Sequence, residues 1–535
     1  MILPPVTAFS GATPLGITET LGTVAGIFAG ETAGLAGVGV VGLAGADTAG
    51  LAGVGVVSLV GVLTLVCVQF GKWRQLLPKA ARTSEEFFVG GRTVGPVSGG
   101  ATLAATQVSA GTLVGTVGLH YLTGASFVLI WVGIWIGWLL SALLIGPQLR
   151  AFEGVTVPDF LADRFDVGYD GAAIRGVSAL LIVVAYLVYT SAQYLAAGRV
   201  VEALLGVDPG VVMVVLAVLV LGYTATGGMR ASIRTDVLQI VLLTGGAALA
   251  AVVGLGAVGG PTALYDGLVA IDPSLVGLGV APVRLVGFAA AFGFGVMAAP
   301  NELSRMYTMR DSATVRRAIG VSIGIQAVIA VSIALLGLIA RVRFPGLQTP
   351  DTAVVELAAS LFGPVVSGLL VLGILAAVLS TVDSVLLVSA SALAHDFYAE
   401  SLPAFGLVES PGEESVLRAS KAATVVAGTL PLVLALFPGP LGELVQLIVA
   451  FYASLIGGSL LVPILAGFHW DGATPGGALA GTLAGFGATV AWQLLVRRGP
   501  LSNDLAVVDP VVPGVVCNAA VLIVVSLARA HSSES

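Results

Sequence analysis

The chain has 535 residues, 57% of them hydrophobic and only 10% charged, with a mean hydropathy of +1.03. A soluble protein carries about 25% charged residues, so a water-soluble globular domain is excluded and a bundle of membrane helices is indicated. The net charge of −7 offers no basic surface for nucleic acid; the lipid bilayer is the expected partner, and no obligate protein partner is evident.

Residues 1–46 form a Gly/Ala-rich extension without the basic start of a secretory signal. The decapeptide TAGLAGVGVV occurs at 32–41 and again at 48–57, which reads as low complexity or one extra helix. A bilayer needs roughly 20 apolar residues per helical crossing. Thirteen spans are predicted on that basis, near 48–70, 95–119, 125–146, 173–197, 209–226, 234–257, 282–300, 313–340, 363–395, 415–436, 441–466, 475–496 and 511–530. Residues 47–93 then hold the first span and a cytoplasmic loop, and 474–535 hold the last two spans and a short tail. With the N-terminus outside and the C-terminus in the cytoplasm, most Lys and Arg, including Arg92, Arg150, Arg164, Arg175, Arg305 and Arg310, fall on inward ends, as the positive-inside rule requires. Cys67 and Cys517 fall in apolar spans far apart and read as packing residues. The four histidines, His120, His395, His469 and His531, are scattered, with no metal-ligand spacing and no nucleophile–base pairing, so no enzyme is expected.

Two spans carry signs of interruption. The second contains Gly111, Gly115 and Gly118 beside Gln107, Ser109 and Thr112; the seventh contains Gly287, Gly293, Gly295 and Pro300. Broken helices at matching places in two halves of a chain point to a transport site, because unwound carbonyls in the membrane must be satisfied by something polar such as a cation. Close packing of glycines between helices is the competing explanation. The ninth span, ILAAVLSTVDSVLLVSASAL (374–393), places Ser380, Thr381, Asp383 and Ser384 together in apolar surroundings. A charged Asp there costs roughly 2.5–3.5 kcal/mol and marks function. The hydroxyls have an ordinary alternative, bonding back to carbonyls one turn earlier.

Five segments, in order, resemble the sodium:solute symporter family: EEFFVGGRTVGP (85–96), VTVPDFLADRFD (155–166), TATGGMRASIRTDVLQ (224–239), APNELSRMYTMRDS (299–312) and ILAAVLSTVDSVLLVSASALAHDFY (374–398). The resemblance implies an all-α polytopic fold of about 13 transmembrane helices. Its core would be a five-plus-five inverted repeat, here 94–258 and 281–467, with two discontinuous helices. It also implies Na⁺ as the coupling ion, held by the carbonyls of Ala105, Val108 and Ala377 and the hydroxyls of Ser380 and Thr381. Some family members bind a second ion at positions matching Asp236, Ser380, Asp383 and Ser384, so a second Na⁺ or a proton is expected there. Pairing of Asp236 with Arg230 or Arg234 is the plainer alternative.

By the same resemblance the solute would lie between the broken helices, among Gln107, Ser109, Thr112, Tyr189, Gln193, Phe292, Phe294 and Tyr452. Proline symporters have aspartate at the position of Gln107, and tryptophan and tyrosine at those of Phe292 and Val296, which puts a straightforward proline assignment in doubt. Na⁺-coupled uptake of an amino acid, monocarboxylate or similar solute is the leading expectation. Proton coupling through Asp236 and Asp383, and a transport-derived membrane sensor, are the alternatives.

Overall fold

The computed structural model describes residues 92–534 apart from 153–155, 166–168, 228, 438–443, 498 and 500–503. The predicted span 48–70, Cys67, both copies of the decapeptide and residues 85–91 of the first family-like segment lie outside the described residues. Each predicted span from 95–119 onward falls on helix.

In chain order the helices are α1 (Pro96–Gln107), α2 (Val117–Thr123), α3 (Ile130–Leu144), α4 (Gly146–Phe152), α5 (Val157–Arg164), α6 (Tyr169–Leu205), α7 (Pro209–Gly227), α8 (Met229–Ala257), α9 (Gly260–Ile271), α10 (Pro282–Ala298), α11 (Pro300–Tyr307), α12 (Ser312–Arg343), α13 (Ala353–Leu361), α14 (Pro364–Ser391), α15 (Glu413–Leu436), α16 (Val445–His469), α17 (Pro475–Ala491) and α18 (Val511–Glu534). Proline sets many of the starts, at 96, 282, 300, 364 and 475, where its missing N–H costs nothing and its fixed φ suits the first turn. Side-chain caps set others. Asp311 Oδ1 accepts from the Thr314 amide at 2.7 Å, which holds the Asp311 carboxyl below its ordinary range and starts the 32-residue α12.

Among the described residues nine helices are long and apolar enough to cross a membrane, and the bent pair α10–α11 makes a tenth. α16 and α14 are the most enclosed of these, whereas α8, α15, α17 and α18 present most of their surface outward. On α3 the outward stripe is legible in the spacing of Val132, Ile136, Leu139 and Leu143, all exposed. These three- and four-residue steps trace one helix face, and in a membrane protein that face meets lipid.

The opposite face of α3 carries Gly133 and Gly137, which lie against the backbone of α10 at Ala289 and Gly293. A Cβ on Gly293 would sit 2.6 Å from the Gly133 carbonyl oxygen. Here the glycines let two helices touch backbone to backbone. The other glycines that suggested unwinding also sit in close contact with neighbouring segments. A Cβ on Gly115 would stand 2.7 Å from the Gln446 amide, on Gly118 2.9 Å from the Pro350 carbonyl, on Gly287 2.9 Å from Asp509 and on Gly295 2.9 Å from Ala453. The helices do break, but one residue or more away from any of these glycines. α1 stops at Gln107 and helix resumes at Ala110, while α10 and α11 meet at Ala299–Pro300 with a bend of 40°.

Gly293→Ala is therefore expected to destabilise the protein by about 1–3 kcal/mol through overpacking. Gly324→Ala, on α12 with nothing within 4 Å, should be neutral or slightly stabilising. Thermal unfolding of both variants in detergent checks this; equal melting temperatures would remove the close-packing role of Gly293.

Candidate functional site

The first break is held open by side chains. The last α-helical bond of α1 runs from the Val108 amide to the Ala104 carbonyl at 2.9 Å. Beyond it the Ser109 amide turns to Thr112 Oγ1 at 3.4 Å, the Ala110 amide donates to Gln193 Oε1 at 3.1 Å and the Gly111 amide to Ser109 Oγ at 3.1 Å. Thr112 Oγ1 in turn donates to the Gln107 carbonyl at 3.3 Å. The amides are thus provided for. The carbonyls of Ala105 and Val108 accept no hydrogen bond among the described residues, although both residues are buried. Helix continues from Gly111 as a π-helical turn to Thr116 before α2.

α14 packs against α1. On it Ser380 Oγ donates to the Ala377 carbonyl at 3.1 Å and Ser384 Oγ to the Ser380 carbonyl at 2.9 Å. Thr381 is different: its hydroxyl is buried with no hydrogen-bond partner. The back-bonding alternative therefore describes Ser380 and Ser384 but not Thr381. A hydroxyl that donates backward also keeps its oxygen lone pairs available.

A second polar knot lies beside this one. Arg305, which charge counting placed at a loop end, is 1% exposed, because α11 turns inward at the Pro300 bend. Its Nη2 lies 3.2 Å from Asp236 Oδ2 and donates to Ser384 Oγ at 2.5 Å, while Nε donates to Thr106 Oγ1 at 3.2 Å. Thr102 Oγ1 donates to the same Asp236 oxygen at 2.6 Å. A guanidinium thus stands among the residues expected to hold a second cation. Asp383, next to Ser384 on α14, is half-buried.

Between α1, α6, α10, α11 and α16 lies a cavity lined by six of the expected solute residues, Gln107, Ser109, Thr112, Tyr189, Phe292 and Tyr452. The other two stand elsewhere. Gln193 caps the α1 break, and Phe294 packs at Gly457 of α16. The rings of Tyr189 and Tyr452 stack with centroids 4.3 Å apart. The sequence reading missed Asn301, Glu302, Gln446, Thr116 and Trp131, which also line the cavity. Asn301 is clamped: its amide donates to the Tyr186 hydroxyl at 2.7 Å, and its Oδ1 accepts from Tyr186 at 2.8 Å and from Tyr452 at 3.2 Å. The one available signal was Pro300, since a proline that starts a bent half-helix aims the next residues at whatever the bend encloses. The cavity volume is about 40 Å³, room for a water molecule or two and too little for an amino acid, so a solute requires the surrounding helices to separate.

At one end of the bundle the fold brings together Asp159, His395 and Asp396, a grouping invisible in the sequence spacing. His395 Nδ1 lies 3.1 Å from Asp396 Oδ1, which also accepts from Thr156 Oγ1 at 2.9 Å. With Tyr307 donating to the Thr156 carbonyl at 3.1 Å, these contacts tie α5, α11 and the extension of α14.

Comparison with known proteins agrees with this architecture. The chain is 26% identical over 481 residues to a sodium/proline symporter of Staphylococcus aureus, covering 87% of this chain and 90% of that protein. Among solved structures it matches a Na⁺-coupled sialic acid symporter in a substrate-bound outward-open state, with a TM-score of 0.69, 21% identity and coverage of 89% of this chain and 97% of the other. It also matches Mhp1, a nucleobase-cation-symport-1 family transporter, at a TM-score of 0.52 and 15% identity over 84% and 96% of the two chains. At these identities the two structures speak for a shared transporter fold alone. The model of the sodium:solute symporter family matches residues 87–485, and the chain, a multi-pass membrane protein with a transporter's fold and not an enzyme, belongs to that family.

Proposed function

We propose that this protein is a secondary transporter that couples inward movement of Na⁺ to uptake of a small organic solute by alternating access. The observation that carries the reading is a trio of oxygens on buried residues with no hydrogen-bond partner among the described residues, the Ala105 and Val108 carbonyls and the Thr381 hydroxyl, on two helices packed together. A buried carbonyl or hydroxyl without a partner is costly in a membrane interior. Na⁺ is a hard cation suited to neutral oxygen ligands. Ala377 and Ser380 complete the set, the Ser380 oxygen still having lone pairs to offer. Each Na⁺ crossing a 100 mV potential contributes about 2.3 kcal/mol to uptake.

At the second expected ion position, Arg305 already supplies the positive charge between Asp236 and Ser384. A second Na⁺ or a proton at Asp236, Asp383 and Ser384 would require Arg305 to leave. This favours a single coupling ion at the Ala105–Thr381 position. The related S. aureus protein is a sodium/proline symporter; an amino acid or another small polar molecule fits the mix of amides, hydroxyls and rings around the cavity here. The distribution of Lys and Arg favours an outside N-terminus and a cytoplasmic C-terminus.

Two outcomes test this. Thr381→Val keeps the side-chain shape and removes the oxygen, and it is expected to weaken Na⁺ about tenfold or more. The readout is the Na⁺ concentration for half-maximal uptake into proteoliposomes; an unchanged value would sink the site. Asp236→Asn removes a buried carboxylate facing Arg305 and is expected to destabilise the fold by about 3–5 kcal/mol. Asp236→Asn combined with Arg305→Gln should recover much of the loss in a thermal melt. If the double variant is no better than the single one, the ion pair is not what matters at Asp236.

A further inference from the structure

Glu302 is the one charged side chain among the described residues that line the cavity. It is 2% exposed, and its Oε2 meets no hydrogen-bond donor. The groups that could have answered it are otherwise engaged. Arg305, one turn along α11, directs Nη2 and Nε to Asp236, Ser384 and Thr106. The Tyr186 and Tyr452 hydroxyls donate to Asn301 Oδ1. The remaining polar lining, Gln107, Ser109, Thr112 and Gln446, is neutral, and no Lys or Arg faces the cavity. An ionisable group in this situation within a membrane is costly and is retained for function.

The rest of the lining decides what it serves. Tyr189, Tyr452, Phe292 and Trp131 surround the same small space. Aromatic faces attract cations and a carboxylate can add the matching charge, whereas an anion placed there finds no Lys or Arg to answer it. We infer that Glu302 recognises a cationic nitrogen on the solute, so that the transported class is ammonium-bearing, either as free amines or as zwitterions, and simple monocarboxylates are rejected. The inference rests on the symport reading above and narrows its solute. In a zwitterion the carboxylate would be left for the Na⁺ side of the cavity, beside Gln107 and Ser109 at the α1 break.

The test uses purified full-length protein in Na⁺ and pairs of compounds of one shape that differ by nitrogen against carbon. The pairs are L-proline with cyclopentanecarboxylate, glycine betaine with 3,3-dimethylbutyrate, and choline with 3,3-dimethylbutanol. Binding is read as thermal stabilisation against concentration. At least one nitrogen compound should bind about tenfold or more tightly than its carbon partner. Glu302→Gln should bring that ratio close to one, and Glu302→Asp should keep part of it. The proposal is overturned if the carbon partners bind as well, if no ammonium compound stabilises the protein, or if Glu302→Gln keeps the wild-type ratio. It is equally overturned if the substitution abolishes only solute-driven proton uptake, which would make Glu302 a proton carrier. The wild-type comparison alone decides should the variants not fold. Stabilisation by Na⁺ without solute is measured in parallel; its absence would count against the symport reading and leave the nitrogen preference to be judged separately.

Discussion

A helix that stops inside a membrane leaves backbone groups with nowhere to go, and the centre of this protein is arranged around one such stop. Water is not available to satisfy them, so every N–H and C=O at the break needs a partner from the protein or from something the protein binds. At Val108–Ser109 the two kinds of group are treated differently. The amides are met by Thr112, Gln193 and Ser109, whereas the Ala105 and Val108 carbonyls are left open. A break that satisfies donors and leaves acceptors is polarised, and its open side suits a cation. The neighbouring Thr381 hydroxyl, also without a partner, extends that polarity onto a second helix.

The Arg305 knot performs a different task with similar materials. Its contacts join α1 through Thr102 and Thr106, α8 through Asp236, α11 through Arg305 itself and α14 through Ser384. Buried ion pairs contribute little net stability, because desolvation offsets most of their attraction, but removing one partner is severe. Such a pair therefore fixes how four helices meet more than it strengthens them. It shares α1 and α14 with the open carbonyls and Thr381, so movement of α14 relative to α1 disturbs those oxygens and the knot together.

How far this was readable from sequence depended on the range of the interaction. Apolar run lengths locate the helices because each span is a local property. The broken helices were also anticipated, but for a reason that proved indirect: the glycines mark where α16, α3 and the loop at Pro350 approach, and helix interruption follows from side chains that replace the missing hydrogen bonds. Gln193 lies far along the chain from Ala110, so no pattern near the break could reveal it. The burial of Arg305 was hidden for a similar cause. A run such as PNELSR reads as a loop end by composition, and only the turn at Ala299–Pro300 carries it inward. Glu302 and Asn301 were overlooked with it. The aromatic and amide residues of the cavity were found largely through family resemblance, since a lone Tyr or Gln in an apolar helix has no periodic signature of function.

The bend at Ala299–Pro300 connects these parts mechanically. Asn301, the first residue able to reach out beyond it, is held by Tyr186 from α6 and Tyr452 from α16, and Tyr452 stacks on Tyr189 over the cavity. The cavity is too small for a solute as it stands, so admitting one must part that stack or move α11. Either motion pulls on Asn301, and through the single rigid turn that follows, on Glu302 and Arg305. Arg305 bonds to Thr106, which lies between the two residues whose carbonyls are open. A chain of direct contacts therefore runs from the aromatic wall of the cavity to the α1 break through about one helical turn of α11. Coupling in a transporter requires that solute and ion bias the same two-state element; among the described residues α11 is a short helix that lines the cavity with Asn301 and Glu302 and reaches the buried ion pair with Arg305, so it is placed where such an element would have to be.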